Sequence, residues 1–170
     1  NQLRELSVAK LVSKIGLIFL ALFCASQTLL AHELSFKHIQ IYHPIIPIVG
    51  NNMNAAAGYM KITNTSEIPE KIIGIHTSFS NAMIHKSSVD SNGVARMTHL
   101  KEVLIPGNSS VAFETGGLHV MFDDLKQELE PFDDQNVTIV FERAGEVTVS
   151  FMVEEMNGEM ILNMGHDKDH

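Results

Sequence analysis

The amino-acid sequence predicts an all-β domain with the architecture of an antiparallel β-sandwich or barrel. Apolar β-branched and aromatic residues recur at every second position in short segments, and residues typical of turns separate these segments. The sequence lacks a sustained helical stripe, and one short turn of helix is expected at residues 124–129. The predicted strands cover residues 36–43, 58–63, 71–76, 82–85, 110–114, 137–142 and 147–153.

Turn-forming residues delimit these strands in chain order. The first two strands precede a turn at 64–66, and the third and fourth precede the Asn-Gly turn at 91–93. The fifth strand lies between turns at 106–109 and 116–117, and Ala144-Gly145 separates the last two strands. About 110 residues organised in this way correspond to one domain of sandwich or barrel size.

Composition narrows the class of function. The chain has 170 residues with 12 Lys and Arg against 20 Asp and Glu, a net charge of −8. Nucleic acid is excluded as an expected partner, because duplex binding needs clustered cations to displace counterions. The unusual feature is the presence of nine His and nine Met beside a single Cys, since imidazole and thioether groups are both metal ligands.

The first 31 residues are interpreted as a cleaved signal peptide. Arg4, Lys10 and Lys14 precede the apolar run 15–24, which is shorter than a membrane-spanning helix. We expect cleavage after Ala31, a periplasmic location and no stable membrane anchor after cleavage. Lipidation of Cys24 is not expected, because a bulky phenylalanine precedes it where a small residue is preferred. Cleavage would remove the only cysteine of the chain.

The mature chain divides into a β domain at 32–155 and a tail at 156–170. The tail is polar, lacks strand alternation and is expected to be flexible when no metal is bound. Its thioethers suit Cu(I) and its imidazoles suit Cu(II), so it is a candidate second copper site. The auxiliary candidates are Met156, Met160, Met164, His166 and His170 in the tail, and His32 at the expected mature N-terminus.

Two His and two Met in the middle of the domain form the principal candidate site. His119 and Met121 are two residues apart on a further short segment, 119–121, which is also expected to be a strand, and they therefore face the same side. The Asn-Gly turn allows the chain after His85 to fold back as a hairpin and bring Met97 close to it. If the hairpin does not form in this register, Met83 is the substitute ligand.

The donor chemistry favours Cu(I). Thioether sulfur is neutral and soft, so it offers little to Zn²⁺, Mg²⁺ or Ca²⁺, whereas it suits Cu(I) together with imidazole. A blue-copper electron-transfer site would need a cysteine thiolate, and an oxygenase centre would need more His or carboxylate ligands. Copper storage or delivery is therefore the simplest function, and no enzymatic activity is expected. The remaining residues Met53, Met60, Met152, His38, His43, His76 and His99 are assigned to structure.

Residues 32–155 resemble the periplasmic copper chaperones of the PCuAC type. The resemblance is carried by the segments 55–60, 81–85, 93–97 and 116–121, which contain the two His and two Met of the candidate site. It implies a cupredoxin-like Greek-key β-sandwich that binds Cu(I) through these four residues and delivers it to the CuA or CuB centre of a cytochrome oxidase. One departure is visible: eleven residues separate His85 from Met97, where the family usually has about ten.

The expected partner is a copper-accepting protein, such as a cytochrome oxidase subunit or another copper chaperone, and the expected state is a monomer. Two alternatives remain open at this stage. A β-sandwich interaction or adhesion module would bind proteins through its loops without transferring metal. A copper enzyme working at His32 would require turnover of Cu(II), which the His and Met ligands of the core site do not favour.

Overall fold

The computed structural model describes residues 33–50 and 53–156, which form eleven β-strands. The all-β prediction is confirmed, and these residues contain no helix that is long and apolar enough to cross a membrane. The strands are β1 (Glu33–Phe36), β2 (Ile39–Ile48), β3 (Ala55–Asn64), β4 (Glu70–Thr77), β5 (Asn81–Val89), β6 (Ala95–Leu100), β7 (Val103–Ile105), β8 (Ser109–Phe113), β9 (Leu118–Asp123), β10 (Asp134–Phe141) and β11 (Gly145–Glu155).

The strands form one hydrogen-bonded sheet that curves into a nearly closed barrel. Its order is β6-β5-β9-β8-β3-β2-β11-β10-β4-β7, and β1 pairs with β2. Most neighbours are antiparallel, whereas β2 and β11 run parallel and β8 and β9 share one parallel pair. The strands β2 and β11 lie far apart in the sequence, so no hairpin forces them to run in opposite directions.

Strand β2 changes its buried face half-way along its length. Ile39 and Ile41 are buried before His43, and Ile46 and Ile48 are buried after it. The change coincides with a register shift between Tyr42 and Ile45 and with the positive φ of 49° at His43. Ile45 is buried beside Ile46 at the irregularity, after which the buried apolar residues of the strand lie at even instead of odd positions.

Three phenylalanines pack beneath the strand that carries His119 and Met121. The rings of Phe79 and Phe122 are 5.0 Å apart, and those of Phe122 and Phe151 are 6.0 Å apart. A Cβ atom at Gly58 would lie 2.7 Å from Cε2 of Phe122, so this position on β3 requires glycine for the close approach of the ring. The outer face of β9 is therefore supported from below by a tightly packed aromatic core.

The prediction of a helical turn at 124–129 is wrong. Asp124 has a positive φ of 54°, and the next two residues bond to other segments: the N–H of Leu125 donates to Asn54 and that of Lys126 to Phe79. These long-range bonds replace the local ladder of a helix, because the segment is tied to its neighbours in the fold. Strands β6 and β7, and β1 apart from Phe36, also lie outside the predicted strands.

The buried carboxylate of Glu70, at the start of β4, connects β4 with the turn before β2 and the turn between β10 and β11. Its side chain is fully buried and accepts a hydrogen bond from Nε2 of His38 at 2.8 Å. It also accepts backbone N–H groups of Lys71, Arg143 and Ala144 at 2.9, 2.9 and 3.0 Å. Burial by itself would raise the pKa of Glu70, but these hydrogen bonds outweigh it and lower the pKa.

Candidate metal centre

The candidate ligands lie on three adjacent strands, with β5 between β6 and β9. His85 is paired with His99 on one side and with His119 on the other. Met83 is paired with Met121, and Met97 is paired with Ser87. Directly paired residues of antiparallel strands project from the same face, so these methionines and histidines share one face of the sheet.

The hairpin between β5 and β6 forms as predicted. Asp90 closes its loop: Oδ1 accepts the N–H groups of Asn92 and Val94 at 2.9 and 3.0 Å, and the backbone C=O accepts Gly93. Gly93 has a positive φ of 78°, which glycine adopts without strain. The backbone bond from Val94 is the main reason why the pKa of Asp90 is lowered. The loop thus accommodates the eleven residues between His85 and Met97.

Met97 and His85 lie in direct contact, with Nδ1 of the imidazole 3.2 Å from the thioether sulfur. Nitrogen and sulfur ligands of one metal ion, at bond lengths of about 2.0 and 2.3 Å and near-tetrahedral angles, lie about 3.5 Å apart. The two donors are therefore within a few tenths of an ångström of the separation that a shared metal ion requires.

His119 is the innermost of the candidate ligands, with an exposed fraction of 6%. Its Nδ1 lies 3.3 Å from the carbonyl oxygen of Gly117, so the ring donates its Nδ1–H there and leaves Nε2 with a free lone pair. Its ring centre is 5.9 Å from that of His85. Two imidazoles bound to one ion have ring centres about 5–6 Å apart, so the spacing is compatible with a common metal.

The surroundings favour the neutral form of His85. Burial, the neighbouring His119 and then His99 lower the pKa of His85, and Asp123 opposes them. A metal ion binds the unprotonated imidazole, so a lowered pKa keeps the ligand available near neutral pH.

Exposure changes steeply across the site. His119 is buried, His85 and Met121 are half-buried, and Met97 is 57% exposed. An ion held between these groups would be enclosed by the sheet on the His119 side and reachable from solvent on the Met97 side. The arrangement can bind a soft ion and also exchange its outer ligand.

Comparison with known families gives a match over residues 39–153, more than half of the chain, to the LpqE-like family, described as "Putative lipoprotein LpqE-like". The chain belongs to this family. It is 27% identical over 121 residues to the "Putative lipoprotein Lxx21020" of Leifsonia xyli subsp. xyli, covering 71% of this chain and 72% of that protein. It is 26% identical over 134 residues to the uncharacterized protein RP573 of Rickettsia prowazekii, covering 78% and 74%.

Solved structures of PCuAC domains have the same fold. The copper-bound PCuAC domain from PmoF2 is 28% identical with a TM-score of 0.60, covering 74% of this chain and 99% of that domain. The apo PCuAC domain from PmoF1 is 25% identical with a TM-score of 0.62, covering 74% and 100%. The Cu(I) form of DR1885 from Deinococcus radiodurans is 25% identical with a TM-score of 0.55, covering 76% and 85%. The predicted resemblance to PCuAC proteins is confirmed.

Two of the auxiliary candidates lie within the described residues. Met83 faces the same side as Met121, its partner in the ladder. Met156 follows the end of β11, is 7% exposed and lines an apolar groove of about 320 Å³ together with Met121 and Met53. The candidates His32, Met160, Met164, His166 and His170 lie outside the described residues.

His99 is the residue that sequence reasoning assigned to structure and that the fold brings to the site. Its ring centre is 5.7 Å from that of His85. A signal was present, because His99 follows Met97 by two positions and residues two apart on a strand share a face. The three histidines of this row do not form a site by themselves: in 33–50 and 53–156, no group of three or more His, Cys, Asp and Glu residues is arranged to hold a metal ion.

Proposed function

We propose that this chain is an exported copper chaperone that carries Cu(I) on His85, Met97, His119 and Met121. The observation that carries the proposal is the 3.2 Å contact between the His85 nitrogen and the Met97 sulfur, on the same sheet face as the other two donors. The family relationship supports it, since the solved PCuAC domains of similar fold include one copper-bound form and one Cu(I) form.

The donor set accounts for the choice of Cu(I) as cargo. Two imidazoles and two thioethers are neutral, so the site keeps the single positive charge of Cu(I) and gives no charge compensation to a dication. Thioether sulfur is a soft ligand that harder divalent ions accept poorly. Because thioethers carry no proton, only the two histidines make the binding dependent on pH.

The gradient of exposure accounts for transfer. A carrier must release its ion to an acceptor, which requires an incoming ligand to displace one of its own. Met97 is the most exposed of the four donors and is held on a hairpin at the edge of the sheet. An acceptor ligand would replace Met97 first, while His119 holds the ion on the buried side.

We place this activity in the periplasm, with a cytochrome oxidase subunit or another copper chaperone as acceptor. Export is supported by the description of the family and of one relative as lipoproteins. The net charge of −8 favours an acceptor with a basic docking patch, because complementary charge steers the encounter of two proteins. The route of export itself, by cleavage after Ala31 or through a lipid on Cys24, is distinguished by the mass of the exported protein.

An anaerobic titration with Cu(I), in competition with bicinchoninic acid, tests the proposal. The chain is expected to take up one tightly bound equivalent, and His119→Ala or Met121→Ala is expected to weaken it by roughly a hundredfold or more. The matched control is His43→Ala, which removes an exposed histidine on another strand and leaves the affinity unchanged. Unchanged affinity in both site variants would contradict the proposal and favour an interaction module without metal.

A further inference from the structure

A cleft lies where the sheet remains open between β4 and β5. Strand β4 pairs with β10 and β7, whereas β5 pairs with β6 and β9, so the two strands diverge after the connection at 78–80. The cleft has a volume of about 280 Å³, and residues of β4, β5 and the end of β6 line it. We refer to it as the seam cleft.

Three potential copper ligands line the seam cleft: His76 from β4, Met83 from β5 and His99 from β6. Both histidines are exposed and Met83 is half-buried, so a diffusing ion can reach all three. The position of His76 is defined by Gly74, where an added Cβ would lie 3.4 Å from Nε2 of the imidazole. The ring therefore folds back along β4 beside Gly74, which is itself part of the lining.

The seam cleft adjoins the candidate centre on two strands. Met83 lies two residues before His85 on β5, and His99 is paired with His85 across the β5–β6 ladder. The ring centres of His85 and His99 are 5.7 Å apart. An ion held by Met83 and His99 would therefore lie next to His85, which is itself a ligand of the proposed main site.

We propose that the seam cleft is a second Cu(I) site, formed by His76, Met83 and His99, which exchanges its ion with the main site across His85. Two imidazoles and one thioether are neutral, soft-compatible donors, and three such donors satisfy Cu(I). The site is weaker than the main one because its histidines are exposed and the cationic Lys101 also lines the cleft. The identity of the metal rests on the proposed function.

The arrangement gives copper a path along the sheet face. An ion entering at the cleft can gain His85 as a ligand before it loses His99, because both rings stand in the same row of the ladder. Stepwise exchange of this kind keeps the ion bound throughout, without its release to solvent. The cleft thereby serves as an entry or exit position for the carrier.

Site-resolved NMR of the full chain, labelled with ¹³C at the methionine methyl groups and ¹⁵N in the imidazoles, tests the proposal. Cu(I) is added anaerobically in two equivalents. The first is expected to shift the signals of Met97, Met121 and His119, and the second those of Met83, His76 and His99. Chelator competition on the double variant His76→Asn/His99→Asn is expected to show a second equivalent at least about tenfold weaker.

The controls separate this proposal from its alternatives. His43→Asn removes an exposed histidine away from the cleft and is expected to leave both equivalents unchanged, whereas Lys101→Gln is expected to tighten the second. A second equivalent that shifts Met160 and Met164 but not Met83, or that binds the double variant with unchanged affinity, overturns the seam site. Failure of the first equivalent to shift Met97 and Met121 contradicts the proposed function instead, and the response of Met83 still decides the seam site.

Discussion

Histidine has opposite surroundings in two regions of this molecule. His38 meets the buried carboxylate of Glu70 at 2.8 Å, in a cluster completed by backbone N–H groups. His85 meets the thioether of Met97 at 3.2 Å and lies between two other imidazoles in the ladder. The first histidine donates to a fixed anion, whereas the second has neutral and polarisable neighbours.

The difference shows how the surroundings of a histidine suit it to a structural role at His38 and, as we propose, to binding a metal ion at His85. A buried carboxylate fixes the tautomer of His38 and occupies its ring nitrogen, so that imidazole stabilises the fold. Around His85 the close contacts are a sulfur and other imidazoles, which leave nitrogen lone pairs available to a soft ion. The kind of partner, more than the histidine itself, separates the two functions.

The largest effect is expected from Glu70→Gln, which attacks the structural region alone. The amide keeps the shape of the side chain but removes the negative charge to which three backbone N–H groups and His38 donate hydrogen bonds. The free energy of unfolding should therefore fall by about 3 kcal/mol. Cu(I) affinity should stay unchanged. Denaturant unfolding and chelator competition measure the two quantities.

The matched control for this variant is Glu154→Gln, which alters a partly exposed pair with His43 at 4.0 Å and should change stability by less than about 0.5 kcal/mol. The pH dependence gives a further check. Because the pKa of Glu70 is lowered from its ordinary value of 4.5, its contribution is complete above that value and is lost as the pH falls through the folded-state pKa. The difference in free energy of unfolding between the unmodified protein and Glu70→Gln should therefore shrink in acid. A difference that does not change with pH would contradict the role of the charge.

A smaller effect is expected from Met97→Leu, which attacks the chemical region alone. Leucine has a similar volume but no sulfur, so Cu(I) affinity should fall by roughly tenfold, or about 1.4 kcal/mol. Stability should change little, because Met97 is 57% exposed. The reciprocal control is Met60→Leu: Met60 is 4% exposed, so stability should change by up to about 1.5 kcal/mol and copper affinity should not. Equal losses of affinity in the two variants would remove the distinction between ligand and core methionine.

The smallest effect is expected from Asp90→Ala, which loosens the hairpin without removing a ligand. The carboxylate of Asp90 accepts two backbone N–H groups of the loop and bonds to Arg96, so its loss should speed amide hydrogen exchange in β5 and β6. Cu(I) affinity should fall by less than the tenfold expected for Met97→Leu. Asp134→Ala, an exposed change on β10, is the control. If Asp90→Ala lowered the Cu(I) affinity more than Met97→Leu does, the loop itself would have to bind copper.

Much of the fold could be predicted because alternation of apolar residues is a local signal. The alternate buried residues of β10 and β11, such as Val137, Ile139, Val149 and Phe151, are visible in the sequence as a period of two. Strand β6 could not be predicted in this way, since five of its six residues are exposed and none of them shows a buried face. Its conformation depends on pairing with β5, a contact that periodicity does not report.

The candidate site was predictable to a similar extent. The two-residue spacing of His119 and Met121 and the Asn-Gly turn before Met97 indicated a common face and a hairpin, and the structure has both. The assignment of the four residues as copper ligands stays a prediction. His99 carried a signal, its spacing of two from Met97, whereas His76 could not be placed, because its approach to Met83 depends on how β4 diverges from β5.

The sequence by itself determined the all-β class, the excess of soft donors and the short-range spacings, because each depends on residue type or on neighbours within a few positions. Only the tertiary structure decided that His38 has a buried carboxylate as its partner. Glu70 contacts His38 from 32 positions away: His38 lies in the turn between β1 and β2, and Glu70 is the first residue of β4. The physical cause is the pairing and packing of distant segments, since these determine which side chains share a face and an environment.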